Sequence, residues 1–153
     1  MTSFLIDINV RMAITIKKHP QHINALGWYD SVEEAALLFC RFTMPGFLRL
    51  LTNRQVVGDS TYTLGEALAV FDLWNNDPRI SIAAEPRGAE MFFRLAVAPF
   101  ESQPATKAIA DCYLVGFAES AGAHLVTFDK GPAATAKFRD VPVTVISARQ
   151  APR

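Results

Sequence analysis

Two short apolar runs end in aspartate, Phe4-Leu5-Ile6-Asp7 and Leu125-Val126-Thr127-Phe128-Asp129, and a third apolar run carries Asp111 between Ala110 and Cys112-Tyr113-Leu114-Val115. The first two have the unbroken hydrophobicity of strands buried on both faces of a parallel sheet. Further strands are expected over residues 35–42, 80–83 and 141–146. The stretches between them carry helical spacing. Residues 8–18 form a helix that the His19-Pro20 step stops, because a residue before proline is pushed out of the α region. Residues 21–31 follow as a second helix. Thr43 is a candidate N-cap for a third helix running to about Asn53, with Pro45 in its first turn.

Thr63 caps the next helix, where Leu64, Ala67, Leu68, Phe71 and Trp74 recur as a core-facing stripe. Residues 88–97 carry Met91, Phe92 and Leu95 at helical spacing. A helix over 107–121 aligns Ile109, Tyr113, Phe117 and Ala121, and Gly122 is its C-terminal stop. A last helix is expected over 131–138. Strands alternating with helices predict an α/β fold with a mostly parallel central sheet of four to five strands, covered on both faces, since parallel neighbours need crossover connections.

Size and charge narrow the function classes. Half of the 153 residues are hydrophobic, enough for one well-buried core. Residues 1–147 are expected to form that unit and residues 148–153 a flexible tail. Fifteen basic and fifteen acidic residues cancel, so a nucleic acid must be met by a local patch rather than by net charge. Arg11, Lys17, Lys18, Lys107, Lys130 and Lys137 are candidates for that patch. Cys40 and Cys112 have no CxxC partner and no clustered histidines, so they read as buried free thiols of a reducing compartment. The start lacks the basic and apolar signature of a secretory signal, and no stretch reaches the roughly 20 apolar residues needed to span a bilayer. A soluble cytoplasmic protein with no membrane association is expected, and the apolar excess of a neutral chain favours a homodimer.

The acids carry the candidate chemistry. In open parallel sheets ligands gather outside the carboxyl ends of the strands, where Asp7 and Asp129 fall. Asp111 shares a helix stripe with Leu114, Ala118 and Ala121 and therefore faces inward. A buried ionised acid must neutralise, meet a cation, or border a water-filled cleft. Taken singly, each aspartate is also explained by local backbone capping. Hard oxygen ligands without His or Cys suit Mg²⁺, with Mn²⁺ as the alternative, and such a site suits phosphodiester hydrolysis. Asn9 and Thr127 lie two residues from the outer acids and are candidates to orient them. A covalent aspartyl nucleophile of the haloacid-dehalogenase type expects a second aspartate two residues after the first, where this chain has Asn9.

Four blocks in order, Phe4-Leu5-Ile6-Asp7-Ile8-Asn9-Val10, residues 40–53 from Cys40-Arg41-Phe42-Thr43 onward, Ala110-Asp111-Cys112-Tyr113-Leu114 and Leu125-Val126-Thr127-Phe128-Asp129-Lys130-Gly131, resemble PIN-domain proteins, and within them the VapC-type ribonuclease toxins. His19-Pro20-Gln21-His22 followed by Trp28 extends the similarity over nearly the whole chain. The resemblance implies a PIN-like three-layer α/β/α fold and metal-dependent endonucleolytic cleavage of RNA by the toxin of a type II toxin–antitoxin pair. It implies Asp7 and Asp111 as principal Mg²⁺ ligands, Asp129 completing the pocket directly or through water, Thr43 lining it, Arg49 as a basic neighbour, and a cognate antitoxin as partner. Many relatives place a glutamate three residues after the threonine, where this chain has Gly46. The acid set then numbers three, which weakens the expectation of a second ion. The rival reading is a catalytically degraded PIN-like module that acts only by binding protein or RNA.

Overall fold

The computed structural model describes residues 1–147; the tail expected at 148–153 lies outside the described residues. The elements run β1 (Ser3–Ile6), α1 (Ile8–Thr15), α2 (His22–Ser31), β2 (Ala36–Cys40), α3 (Thr43–Leu51), a short α4 (Arg54–Val57) and α5 (Leu64–Trp74). They continue with β3 (Ile80–Ala83), α6 (Ala89–Val97), α7 (Ala108–Ala121), β4 (His124–Thr127), α8 (Lys130–Phe138) and β5 (Val143–Val145). The five strands form one sheet in the order β3-β2-β1-β4-β5, and every pairing is parallel.

That order creates a crevice. The chain builds one side of β1 with β2 and β3, then crosses to the other side and adds β4 and β5. The order therefore reverses between β1 and β4, and the connections leaving their carboxyl ends diverge to opposite faces.

Alternation along the strands fills both layers. Leu5 and Leu125 point to the side where Leu114, Val115, Phe117, Ala118 and Ala136 of α7 and α8 pack. Their neighbours Ile6 and Val126 point to the opposite side, onto Val10 of α1 and against Trp28 and Tyr29 of α2. Met12, Phe47, Leu51, Ala67 and Phe71 extend that second layer across α1, α3 and α5. Each buried Leu, Ile, Val, Phe or Met among them contributes about 1.5–3 kcal/mol relative to exposure.

Two expected helix signals are present. Thr63 Oγ1 accepts the Glu66 amide at 3.2 Å while the Glu66 carboxylate accepts the Thr63 amide at 2.7 Å, a reciprocal cap. Gly122 ends α7 in the left-handed region at φ +63°. Three expectations need correction. Thr43 is the first residue of α3 and not its cap, because its hydroxyl turns back to the Cys40 carbonyl at 2.8 Å. On α5 only Ala67 and Phe71 of the stripe are buried, whereas Leu64 and Leu68 are 60% and 44% exposed. Ile109 likewise lies on the surface of α7.

Candidate active site

β1 and β4 pair with Leu5 opposite Leu125 and Ile6 opposite Val126. Continuing that register sets Asp7 level with Thr127, and the Asp7 amide donates to the Val126 carbonyl at 3.0 Å. Asp7 and Asp129 occupy the cap positions of α1 and α8 with extended backbones, yet neither carboxylate makes a capping bond. Both are turned to other work. Thr127 donates its hydroxyl to Asp7 Oδ2 at 2.8 Å, and Asn9 donates its side-chain amide to Asp129 Oδ2 at 2.6 Å. The supports are crossed: the residue two before Asp129 holds Asp7, and the residue two after Asp7 holds Asp129.

Asp111 enters from the first turn of α7 and is half-buried. Among the described residues no hydrogen bond or ion pair engages its carboxylate. It lies against the start of α8, where a Cβ on Gly131 would stand 2.8 Å from Asp111 Oδ2. Glycine at 131 is therefore a condition for this carboxylate to occupy its place. The sequence reading had no signal for that role, because it depends on the approach of two helices.

The three acids feel one another. Burial, opposed by the Thr127 hydrogen bond and reinforced by the charges of Asp129 and then Asp111, pushes the Asp7 pKa up to about 6. Burial first and the Asp129 charge second raise that of Asp111 as well. The structure thus brings Asp7, Asp111 and Asp129 together at the reversal point of the sheet. Thr43 is buried nearby, at the carboxyl end of β2, with its hydroxyl committed to Cys40.

Among the described residues no group of three or more Asp, Glu, His or Cys side chains is placed to hold a metal ion by itself. The donors present are carboxylate oxygens, and one or two of them fit an ion that retains much of its own water, as Mg²⁺ does. Four glutamates that could stand in for an acid at position 46 are engaged by other groups. Glu66 caps α5, Glu85 accepts the Tyr113 hydroxyl, Glu90 pairs with Arg94, and Glu119 pairs with Arg139. At position 46 itself, a Cβ would meet a single atom, Ile8 Cδ1 at 2.8 Å, so a larger side chain there requires the end of that isoleucine to shift.

The basic patch is smaller than expected. Lys17, Lys18, Lys107, Lys130 and Lys137 are exposed, but Arg11 is 1% exposed and belongs to the core. Its guanidinium lies 3.8 Å from the centre of Phe39, 4.3 Å from Phe47, 5.0 Å from Phe71 and 5.4 Å from Trp74. Nε and Nη2 are buried without a hydrogen-bond partner, and burial lowers the Arg11 pKa to about 9. Arg49 is exposed, and the ion pairs among the described residues, Asp77–Arg79, Glu90–Arg94 and Glu119–Arg139, do not include it.

Comparison with known proteins adds an independent line. The chain matches no family model. It is 39% identical over 130 residues to Ribonuclease VapC41 of Mycobacterium tuberculosis, spanning 82% of this chain and 88% of that one. It is 28% identical over 134 residues to Ribonuclease VapC39 of the same organism, spanning 82% and 87%. The fold resembles a chain of the crystal structure of VapBC2 from Rickettsia felis bound to a promoter DNA fragment, with TM-score 0.67 at 10% identity over 95% of this chain and 100% of that one. It also resembles VapC20 of Mycobacterium tuberculosis, described as a sarcin-ricin loop cleaving toxin, with TM-score 0.61 at 12% identity over 86% and 93%.

Proposed function

This chain belongs to the VapC family of PIN-domain ribonucleases, and on that premise we propose that it is the toxin of a VapBC-type toxin–antitoxin pair, an endoribonuclease that hydrolyses RNA phosphodiester bonds with a divalent metal. The observation that carries the reading is the gathering of Asp7, Asp111 and Asp129, mutually coupled, at the carboxyl ends of β1 and β4. Residues 1–147 act as the nuclease unit.

Asp7 and Asp111 would hold Mg²⁺, or Mn²⁺ in its place, with Asp129 completing the set directly or through water. When bound, the ion supplies an activated water nucleophile and charge stabilisation for the phosphoryl oxygens. The chain's own residues do the positioning. Thr127 fixes the orientation of Asp7, Asn9 fixes Asp129, and Gly131 leaves room for Asp111. Thr43 supports the wall of the pocket through β2. Exposed Lys130, one residue after Asp129, and Lys107, at the start of α7, supply phosphate contacts.

A protein partner is supported by apolar surface that the fold leaves uncovered. Leu64, Leu68 and Leu73 of α5 and Met91 and Leu95 of α6 are all exposed. We assign that surface to the antitoxin and to a second copy of the chain. Among the described residues no helix is long and apolar enough to cross a membrane. The buried free thiols Cys40 and Cys112 suit the cytoplasm.

The test is RNA cleavage by purified protein freed of its partner. Cutting is expected with Mg²⁺ or Mn²⁺, stops with chelator, and is lost in Asp7→Asn and Asp111→Asn proteins that melt as cooperatively as the parent. Cutting at an undiminished rate in either variant, or in excess chelator, refutes the assignment. Metal binding by a folded protein that cuts no RNA would return the degraded-module reading.

A further inference from the structure

Beside the acids the rim of the crevice turns aromatic. Phe42 ends the turn between β2 and α3 and is 48% exposed, a large apolar side chain in water one residue before Thr43. Its ring lies 4.5 Å from that of Tyr113, at an interplanar angle of 41°. Tyr113 is two residues after Asp111 on α7. It is held from three sides: its hydroxyl donates to Glu85 Oε2 at 3.1 Å, and the rings of Phe93 and Phe117 stand 6.3 and 6.4 Å away. One ring is thus fixed, and the other lies over it with part of its surface free. Exposed Arg41 precedes Phe42 on the same turn.

The location matters. β2 is the immediate neighbour of β1, and adjacent strands are about 4.7–4.9 Å apart. Continuing the β1–β2 register sets Asp7 level with Cys40, two residues before Phe42, so the Phe42–Tyr113 pair lies at the same carboxyl edge of the sheet as the acids. Sequence-specific RNA readers take unstacked bases of loops and ends onto aromatic rings, whereas the deep groove of an A-form duplex hides its base edges.

We propose that Phe42, backed by Tyr113, is the stacking platform for the unpaired base adjoining the phosphate to be cut. This rests on the ribonuclease reading. The occupant is an RNA base rather than a protein side chain because the platform stands at the same sheet edge as the acids and has an exposed cation, Arg41, on the same turn. The exposed leucines of α5 provide a separate apolar surface for protein.

A binding measurement in chelator tests the platform without requiring cleavage. An oligoribonucleotide containing 2-aminopurine is titrated with the full chain, single-stranded and then annealed to its complement. The single strand is expected to bind with quenching of the probe. Phe42→Ala loses the quenching and binds about 5- to 100-fold more weakly, the span expected for removing one base–aromatic stack. Phe42→Trp retains both, and Phe42→Leu, which keeps apolar bulk without a π face, behaves as Phe42→Ala. Melting of each variant confirms that this half-exposed position leaves the fold intact. Unchanged binding in Phe42→Ala, full binding in Phe42→Leu, preference for the duplex, or a defect confined to the co-purifying partner protein each overturns the platform. Cleavage separates the two ideas: a wild-type protein that stacks the probe but never cuts defeats the ribonuclease reading alone, and one that cuts equally well with Phe42→Ala defeats the platform alone.

Discussion

A single hydroxyl joins the two strand-end acids: Thr127 donates to Asp7 Oδ2 at 2.8 Å and accepts the Asp129 amide at 3.0 Å. Thr127→Val removes both bonds with little change of volume. The Asp7 proton is then held above its present pKa of about 6, and a metal must compete harder for the site. Metal affinity or kcat/KM at pH 7 is expected to fall about 10- to 100-fold, with Thr127→Ser close to the parent. Equal titration curves for Thr127→Val and the parent would show that the bond orients nothing.

Asp7 also sets a pH dependence of unusual sign for a carboxylate. Its pKa is 3.8 when unperturbed and about 6 in the fold, so between those values the folded chain binds more protons than the unfolded one. Stability contributed by this group is therefore full below about pH 4 and is lost as pH rises through 6, a change on the order of 3 kcal/mol. The raised pKa of Asp111 acts in the same direction. Denaturation in chelator across pH 4 to 7.5 should show Asp7→Asn gaining on the parent as pH rises. Mg²⁺ should restore the parent's stability at pH 7.5 and do little at pH 5. A constant difference between the two proteins across that range would exclude the linkage.

Arg11 is a cation without a carboxylate. Four rings surround it, each worth about 0.5–2 kcal/mol as a cation–π contact, but two of its nitrogens are desolvated and unpaired. Arg11→Met keeps most of the volume and discards the charge, and buried ionic groups replaced by packed apolar ones commonly give equal or greater stability. A gain of about 1–3 kcal/mol in urea denaturation is expected. Arg11→Ala, which opens a cavity among the rings, should instead lose stability. A loss in Arg11→Met of more than about 1 kcal/mol would mean that the rings outweigh desolvation.

Position 46 offers a double-mutant cycle. Gly46→Glu brings a new Cβ onto Ile8 Cδ1 at 2.8 Å, the movable end of a partly exposed side chain, and should destabilise by no more than about 1 kcal/mol. Ile8→Ala opens that space. The double variant should then recover more than the two single effects predict by addition, and its fourth carboxylate should raise the metal stoichiometry measured by calorimetry. Strict additivity would place the clash elsewhere.

Much of the frame was legible in the residues. Apolar runs too short and too continuous for surface helices marked the strands, and Gly122 and Thr63 marked the end of α7 and the start of α5. The acids were legible because each adjoined such a run. Their crossed supports were only half legible: Asn9 and Thr127 were candidates, but which acid each would hold depends on the pairing of β1 with β4. Arg11 misled because a charge on a helix reads as solvated, and its cage draws on α1, β2, α3 and α5, which no local window contains. Thr43 misled because its hydroxyl had a better acceptor behind it, in the Cys40 carbonyl, than in the helix ahead. Leu64 and Leu68 follow a core period and yet face water, the expected error where an apolar stripe serves another molecule.

The central place of β1 has a consequence for the cell that makes this chain. Asp7 leaves the ribosome well before the partners that β4 and the start of α8 bring to it, for Thr127 lies 120 positions later. At translation rates of roughly 5–20 residues per second, that interval lasts about 6–24 s. A chain cut short before residue 127 therefore carries Asp7 without the hydroxyl and the second strand-end carboxylate that the rest of the fold places beside it.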